Sequence, residues 1–214
     1  MSNMKNTIIY KEKIATKNLV LSTTVYGEIL ISIEGEEYRL WDHHRSKLAS
    51  IVIESGIIPI NPDSKILYLG ASTGTTVSHV SDIASEGLVY AVEFSPRSMV
   101  SLIKVSELRK NLIPILADAT KPNTYANIVE TVDLIYQDVA QRNQAEIAIQ
   151  NAKWFLKKDG YVIIIIKARS IDTTANPKHV FDAEIKKLES VFKIIKIYNL
   201  PFHKDNIGVL ALQK

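Results

Sequence analysis

The chain has 214 residues, 46% of them apolar and 23% charged, with 26 Lys plus Arg against 23 Asp plus Glu, a globular composition that excludes a disordered or fibrous protein. That length suits one generous domain, or a domain with a small appendage. Zero Cys excludes disulfides, thiol catalysis and thiolate zinc sites, and the five His form neither an HxxxH nor an HExxH pair, so no metal is expected.

The first ten residues lack the apolar core of a secretory signal, and the longest apolar run, 161–166, is far short of the roughly 20 residues that span a bilayer. A cytoplasmic protein with no membrane partner is expected. The formal charge of +3 pulls only mildly towards anionic partners. In 25–33 and 38–41, separated by the turn Glu34-Gly35-Glu36-Glu37, the pattern predicts a small antiparallel sheet, taken as a subdomain over 1–41 with the main domain over 42–214. A helix begins near Lys47, with Leu48, Ile51 and Val52 as its apolar face. On its own, Lys47 reads equally as an ordinary surface lysine.

From residue 60 short apolar runs alternate with helical segments. The run 65–69 closes on Gly70, 88–92 on Glu93, 111–116 at Asp118, 132–137 on Asp138 and 161–166 on Lys167, with helices predicted over 77–84, 98–110 and 143–157. Apolar strands separated by helices predict a parallel, doubly wound α/β sheet. The tail breaks the rhythm. A helix over 177–190 precedes strands at 191–197 and 207–212, and the short turn between them forces antiparallel pairing. A mostly parallel sheet closed by one antiparallel hairpin resembles the seven-stranded, Rossmann-like fold of S-adenosylmethionine-dependent methyltransferases.

In open α/β sheets, ligands bind beyond the carboxyl ends of the strands, so the strand-closing residues are the candidates. The loop Gly70-Ala71-Ser72-Thr73-Gly74-Thr75-Thr76 has GxxxG rather than GxGxxG spacing, which argues against a dinucleotide. It lets backbone approach a ligand and offers a helix N-terminus to a carboxylate, such as the methionine end of S-adenosylmethionine; a purely structural turn would look the same. Glu93, 23 residues after Gly70, sits near the spacing at which an acid holds ribose hydroxyls. Asp118 is placed either to accept from an adenine amine or to cap a helix, and Phe94 offers a flat apolar wall. Asp138 points at the cofactor's reactive end or caps the next helix, and Lys167, after four isoleucines, is a cation at the mouth of an apolar strand or a solvated strand end. His43, His44, His79 and His179 read as surface or helix-face residues without chemistry.

Several of these segments resemble the fibrillarin family: Tyr38-Arg39-Leu40-Trp41 with Arg45-Ser46-Lys47-Leu48-Ala49, the stretch Leu67 to Ile83, Val89 to Ser95, Asp138-Val139-Ala140-Gln141, and Ile166-Lys167-Ala168. The likeness covers about residues 25 to 214, and the lack of a Gly/Arg-rich N-terminal extension resembles the archaeal form. The resemblance implies S-adenosylmethionine-dependent 2′-O-methylation of ribose in ribosomal and transfer RNA, directed by C/D-box guide RNA. It also implies a coiled-coil scaffold protein of the Nop family and a kink-turn-binding protein as partners. Cofactor positions implied are Gly70, Thr75, Thr76, Glu93, Phe94, Asp118, Ala119, Asp138, Val139, Ala140 and Gln141. Lys47, Asp138 and Lys167 match the family's catalytic Lys, Asp and Lys, whereas its fourth residue, His, falls on Asn206.

A ribose hydroxyl is a weak nucleophile, so positioning, cations beside the developing alkoxide and a carboxylate to orient them are the expected contributions. Asp138 is read as the orienter of the two lysines rather than the sole proton acceptor. Asn206 cannot titrate but can hydrogen-bond. His203, three residues earlier, reads as a solvent-facing turn residue that matters less than about tenfold in rate, or as a substitute for the family's histidine where the turn folds it inward. The competing readings are a weakened or inactive structural subunit, supported by Asn206, and a small-molecule or protein methyltransferase.

Overall fold

The computed structural model describes residues 4–55 and 58–214. An N-terminal sheet contains β1 (Thr7–Tyr10), β2 (Lys13–Lys17), β3 (Leu30–Ile33) and β4 (Glu36–Trp41) in the order β1-β2-β4-β3, with every neighbouring pair antiparallel. The β1–β2 hairpin was not foreseen in the sequence. Its turn uses Lys11 and Glu12 at φ 47° and 62°, a left-handed pair normally signalled by Asn or Gly. The strand expected over 25–33 starts only at Leu30. Upstream, the Glu28 carboxylate accepts from the Val25 and Tyr26 amides at 2.9 and 2.8 Å around Gly27 at φ 81°, and these bonds close a turn instead of a ladder.

After α1 (Lys47–Ser55), the main sheet comprises β5 (Lys65–Leu69), β6 (Leu88–Glu93), β7 (Leu112–Leu116), β8 (Val132–Gln137), β9 (Leu156–Lys167), β10 (Phe192–Asn199) and β11 (Asn206–Gln213). Its order is β10-β11-β9-β8-β5-β6-β7, parallel from β9 to β7, with β11 antiparallel to both of its neighbours. The connecting helices are α2 (Thr75–Ile83), α3 (Pro96–Glu107), α4 (Gln144–Phe155), α5 (Ala168–Ile171) and α6 (Pro177–Leu188). Helix starts follow capping chemistry: Ser95 Oγ accepts from the Ser98 amide ahead of Pro96, and Asn176 accepts from the Lys178 amide ahead of Pro177. Accordingly α3 begins two residues before the predicted 98.

Helices on both sides explain the unbroken apolar runs. Along β9, Ile163 and Ile165 enter one core and Ile164 and Ile166 the other, all of them fully buried. Among the described residues, no helix is long and apolar enough to cross a membrane.

A buried ionic network joins the N-terminal sheet to α2. Arg39, fully buried, donates from Nε to Glu28 at 2.6 Å, from Nη1 to Asp82 at 2.7 Å and from Nη2 to Ser78 at 2.9 Å. The other Asp82 oxygen takes Arg109 at 2.6 Å. His79 corrects the sequence reading, because it is fully buried between the sheet and α2. The Thr16 hydroxyl donates to Asp82, so it must accept from His79 Nδ1–H at 2.8 Å, and His79 Nε2 is left to accept from the Tyr26 hydroxyl at 2.7 Å. Burial, reinforced by Arg39 and Arg109, holds this imidazole well below its ordinary pKa, consistent with the neutral tautomer deduced from its partners.

Candidate active site

Strand order reverses at β5, whose neighbours are β6 and β8, so the carboxyl ends of these three strands open into one crevice. Gly70 lies where β5 meets β8. Its φ is 86°, and a Cβ there would stand 2.9 Å from the Asp138 carbonyl oxygen, so both backbone conformation and space demand glycine. The crevice forms a cleft of about 490 Å³, of the size that takes a small cofactor.

Ten of the residues singled out in the sequence line this cleft. At one end are Glu93, Phe94 and Ala119, in the middle Gly70, Val139, Ala140 and Gln141, and at the other end Lys47, Asp138 and Lys167. Glu93 is held rigidly, one carboxylate oxygen accepting from the Ser72 amide at 2.7 Å and the other from the Ser95 amide at 2.8 Å. Phe94 keeps its ring free, 67% exposed at the cleft wall.

Asp138 stands between two ammonium groups. Its Oδ2 is 3.2 Å from Lys47 Nζ and its Oδ1 is 2.7 Å from Lys167 Nζ, while Lys167 also donates to the Asp138 carbonyl at 3.0 Å. All three side chains are 18 to 19% exposed, reachable from the cleft but shielded from bulk water. Behind them pack Tyr68 and Tyr136, with ring centroids 4.7 Å apart; burial, and then the Asp138 charge, push both phenols well up, so this floor stays neutral. Lys47 owes its place to the start of α1, which the loop behind Trp41 aims at the end of β8.

Other predicted positions fall elsewhere. Thr76 bonds Ser46 Oγ at 3.1 Å and so ties the start of α2 to that of α1, while Thr75 lines a separate cavity of about 400 Å³ with Arg45 and Lys104. Asp118 accepts from the Thr120 amide at 2.9 Å. Burial opposes its charge, but donors from Thr120 and Gln141 hold its carboxyl below the usual range. Asn206 pairs with Lys167 in the β11–β9 register, so both side chains leave the same face of the sheet.

Of the two readings of His203, the structure has the inward turn. The ring is half-buried, and Nε2 donates to the His43 carbonyl at 3.0 Å. Sequence reasoning also missed Gln144. It is fully buried, accepts from the Lys167 amide at 2.9 Å and donates to the Gln141 carbonyl at 2.8 Å, so one side chain braces both the 138–141 loop and the lysine strand. A buried glutamine at a helix start after a strand carries no periodicity that would have revealed it. Asp42, His43 and His44 bring one carboxylate and two imidazoles within 4.8 Å of one another, but both rings pack against Phe202 and no metal is assigned to them.

The sequence pattern of the fibrillarin family matches residues 3–214. The chain belongs to the fibrillarin family. Among its relatives, the Methanosarcina barkeri protein named fibrillarin-like rRNA/tRNA 2′-O-methyltransferase is 60% identical over 209 residues, 95% of this chain and 92% of that protein. Two solved fibrillarins superpose closely. The one in a fibrillarin/Nop5p complex has a TM-score of 0.92 at 44% identity, with full coverage of both chains. The one from Aeropyrum pernix, with natively bound S-adenosyl-L-methionine, has a TM-score of 0.85 at 44% identity over 96% of this chain and 92% of that one.

Proposed function

We propose that this fibrillarin-family chain methylates the 2′-hydroxyl of ribose in ribosomal and transfer RNA, using S-adenosylmethionine, with its targets chosen by C/D-box guide RNA. The observation that carries this reading is the Lys47–Asp138–Lys167 cluster at one end of a cleft whose other end is Glu93. The residues present fit the cofactor. The backbone at Gly70 leaves room that any Cβ would fill, and Gln141 Oε1 is buried without a hydrogen-bond partner among the described residues, an acceptor left for a ligand's donor.

In this reading Glu93 holds the ribose hydroxyls, the free ring of Phe94 walls the adenine, and Asp118 and Gln141 face its polar edge. S-adenosylmethionine supplies an electrophilic methyl group. Lys47 and Lys167 hold the substrate hydroxyl and stabilise the negative charge that develops on its oxygen, in a site where shielding from water strengthens the interaction. Asp138 keeps both ammonium groups converged, so they need not reorganise as that charge appears. Asn206, beside Lys167, can orient a neighbour through its amide.

A net charge of +3 without an aromatic-basic stacking motif gives weak RNA affinity for the isolated chain. A Nop-family scaffold and a kink-turn-binding protein therefore supply the grip on guide and target. The second reading, a structural subunit with little activity, rests on Asn206 standing where the family has His. Single-turnover methylation of a guided RNA, with and without scaffold and guide, separates them. Transfer only in the full complex supports the enzyme, and no transfer where a relative's complex works supports the structural subunit.

A further inference from the structure

We propose that His203 is the proton acceptor of this site, with Nδ1 taking the proton of the ribose hydroxyl; this rests on the methyltransferase reading. The turn 200–206 is anchored at both ends. The His203 amide donates to the Leu200 carbonyl at 2.8 Å and the Asn206 amide to the His203 carbonyl at 3.2 Å. The Asp205 carbonyl accepts from the Ala168 amide at 3.0 Å, directly after Lys167, and the Asp205 carboxylate pairs with Arg169 at 2.9 Å. Phe202 clamps the turn from the other side, its ring centroid 4.9 Å from that of His43 and 4.2 Å from that of His44, on the loop that leads to Lys47. The turn therefore bridges the segments that deliver the two lysines.

The tautomer follows from the His43 carbonyl. A carbonyl only accepts, so His203 Nε2 carries the proton and, in the neutral ring, Nδ1 keeps its lone pair. No residue among those described hydrogen-bonds to Nδ1. The charges facing the ring are Lys47 from α1, Asp138 from the end of β8 and His44 from the preceding loop. Burial first, and then Lys47 and His44, lower the pKa against the opposing pull of Asp138 and the His43 carbonyl. At neutral pH the ring is thus an uncharged base, within electrostatic reach of the ammonium and carboxylate that hold the hydroxyl. Asp138 has a cation beside each of its oxygens, and neither lysine can accept a proton while charged, so among these four side chains His203 is the uncharged one that offers a nitrogen lone pair.

In the step, the ribose O–H bond breaks and its proton goes to Nδ1, while its electron pair forms the new O–C bond as the donor's C–S bond breaks. The positive charge lost at sulfur reappears as imidazolium.

The test uses single-turnover methylation in the reconstituted complex between pH 5 and 9, with His203→Gln and His203→Ala. Glutamine can still donate to the His43 carbonyl but cannot take a proton. Both variants should lose at least about tenfold in rate with guided-RNA binding unchanged, and the wild-type acid limb, below pH 6.5, should vanish. A His203→Gln complex with wild-type rate and acid limb would overturn the assignment and leave a clamp. Wild type without transfer would instead overturn the methyltransferase reading beneath it. Independently of activity, imidazole NMR on the free chain should show the Nε2–H tautomer titrating below 6.5 and moving upward in Lys47→Met. A Nδ1–H tautomer, or titration above 6.5, would refute the proposal.

Discussion

Two ionic clusters built from basic and acidic side chains differ in what is left unsatisfied. In Arg39–Glu28–Asp82–Arg109 every guanidinium and carboxylate is 0 to 2% exposed, and Asp82 is closed by two arginines and the Thr16 hydroxyl. In Lys47–Asp138–Lys167 the groups are 18 to 19% exposed and the lysines face a cleft. A sealed network of matched charges ties the N-terminal sheet to α2. A half-open one, with more positive than negative charge, waits for a developing anion. Residue type alone does not separate structure from chemistry here; access and residual hydrogen-bonding capacity do.

The largest effect should come from opening the sealed cluster. Asp82→Ala leaves buried Arg109 without a carboxylate and Arg39 with Glu28 alone, and denaturant unfolding should show a loss of about 3 to 5 kcal/mol. A loss under 1 kcal/mol would mean that the network contributes little. The same kind of change in the half-open cluster should act on rate. Asp138→Ala or Lys167→Ala should cost on the order of a hundredfold in single-turnover methyl transfer, about 2.7 kcal/mol of barrier, with stability changed by less than about 1 kcal/mol. If Asp138→Ala unfolded the protein instead, the contrast between the clusters would collapse.

At the far end of the cleft, Glu93→Ala should weaken S-adenosylmethionine binding by roughly 1.5 to 3 kcal/mol in calorimetry, as expected for lost hydrogen bonds to a charged acceptor. An unchanged affinity would remove Glu93 from the site. The smallest effect is a pH slope in the sealed cluster. His79 is held neutral well below its ordinary pKa, so below about pH 6.5 the unfolded chain binds a proton that the folded one does not. Stability is therefore complete above that pH and falls as pH drops through it, by up to about 1.4 kcal/mol per unit for one proton. His79→Gln should flatten that slope in thermal melts between pH 5 and 7.

Much of this was legible in the chain itself. Apolar runs closing on Gly70, Glu93, Asp138 and Lys167 identified both the parallel sheet and the cleft-facing residues, because a strand covered on both faces is unbroken in sequence and ends where its chemistry begins. The C-terminal hairpin followed from turn length alone. Less visible were elements set by side chain to backbone bonds. Glu28 capturing two amides erased half of an expected strand, and Lys11-Glu12 turned a hairpin without a glycine.

What only the tertiary structure decided was burial and partnership. His79 and His203 each have one apolar and one polar neighbour in the chain, yet one is walled in by Thr16 and Tyr26, and the other is carried by its turn against the His43 carbonyl, on the loop that leads to Lys47. Local periodicity reports which face of an element is apolar; it carries no information about which distant side chain meets a given nitrogen. Thr16 with His79 and His43 with His203 are 63 and 160 residues apart, so their hydrogen bonds, and the protonation states that follow from them, exist only once the chain has folded.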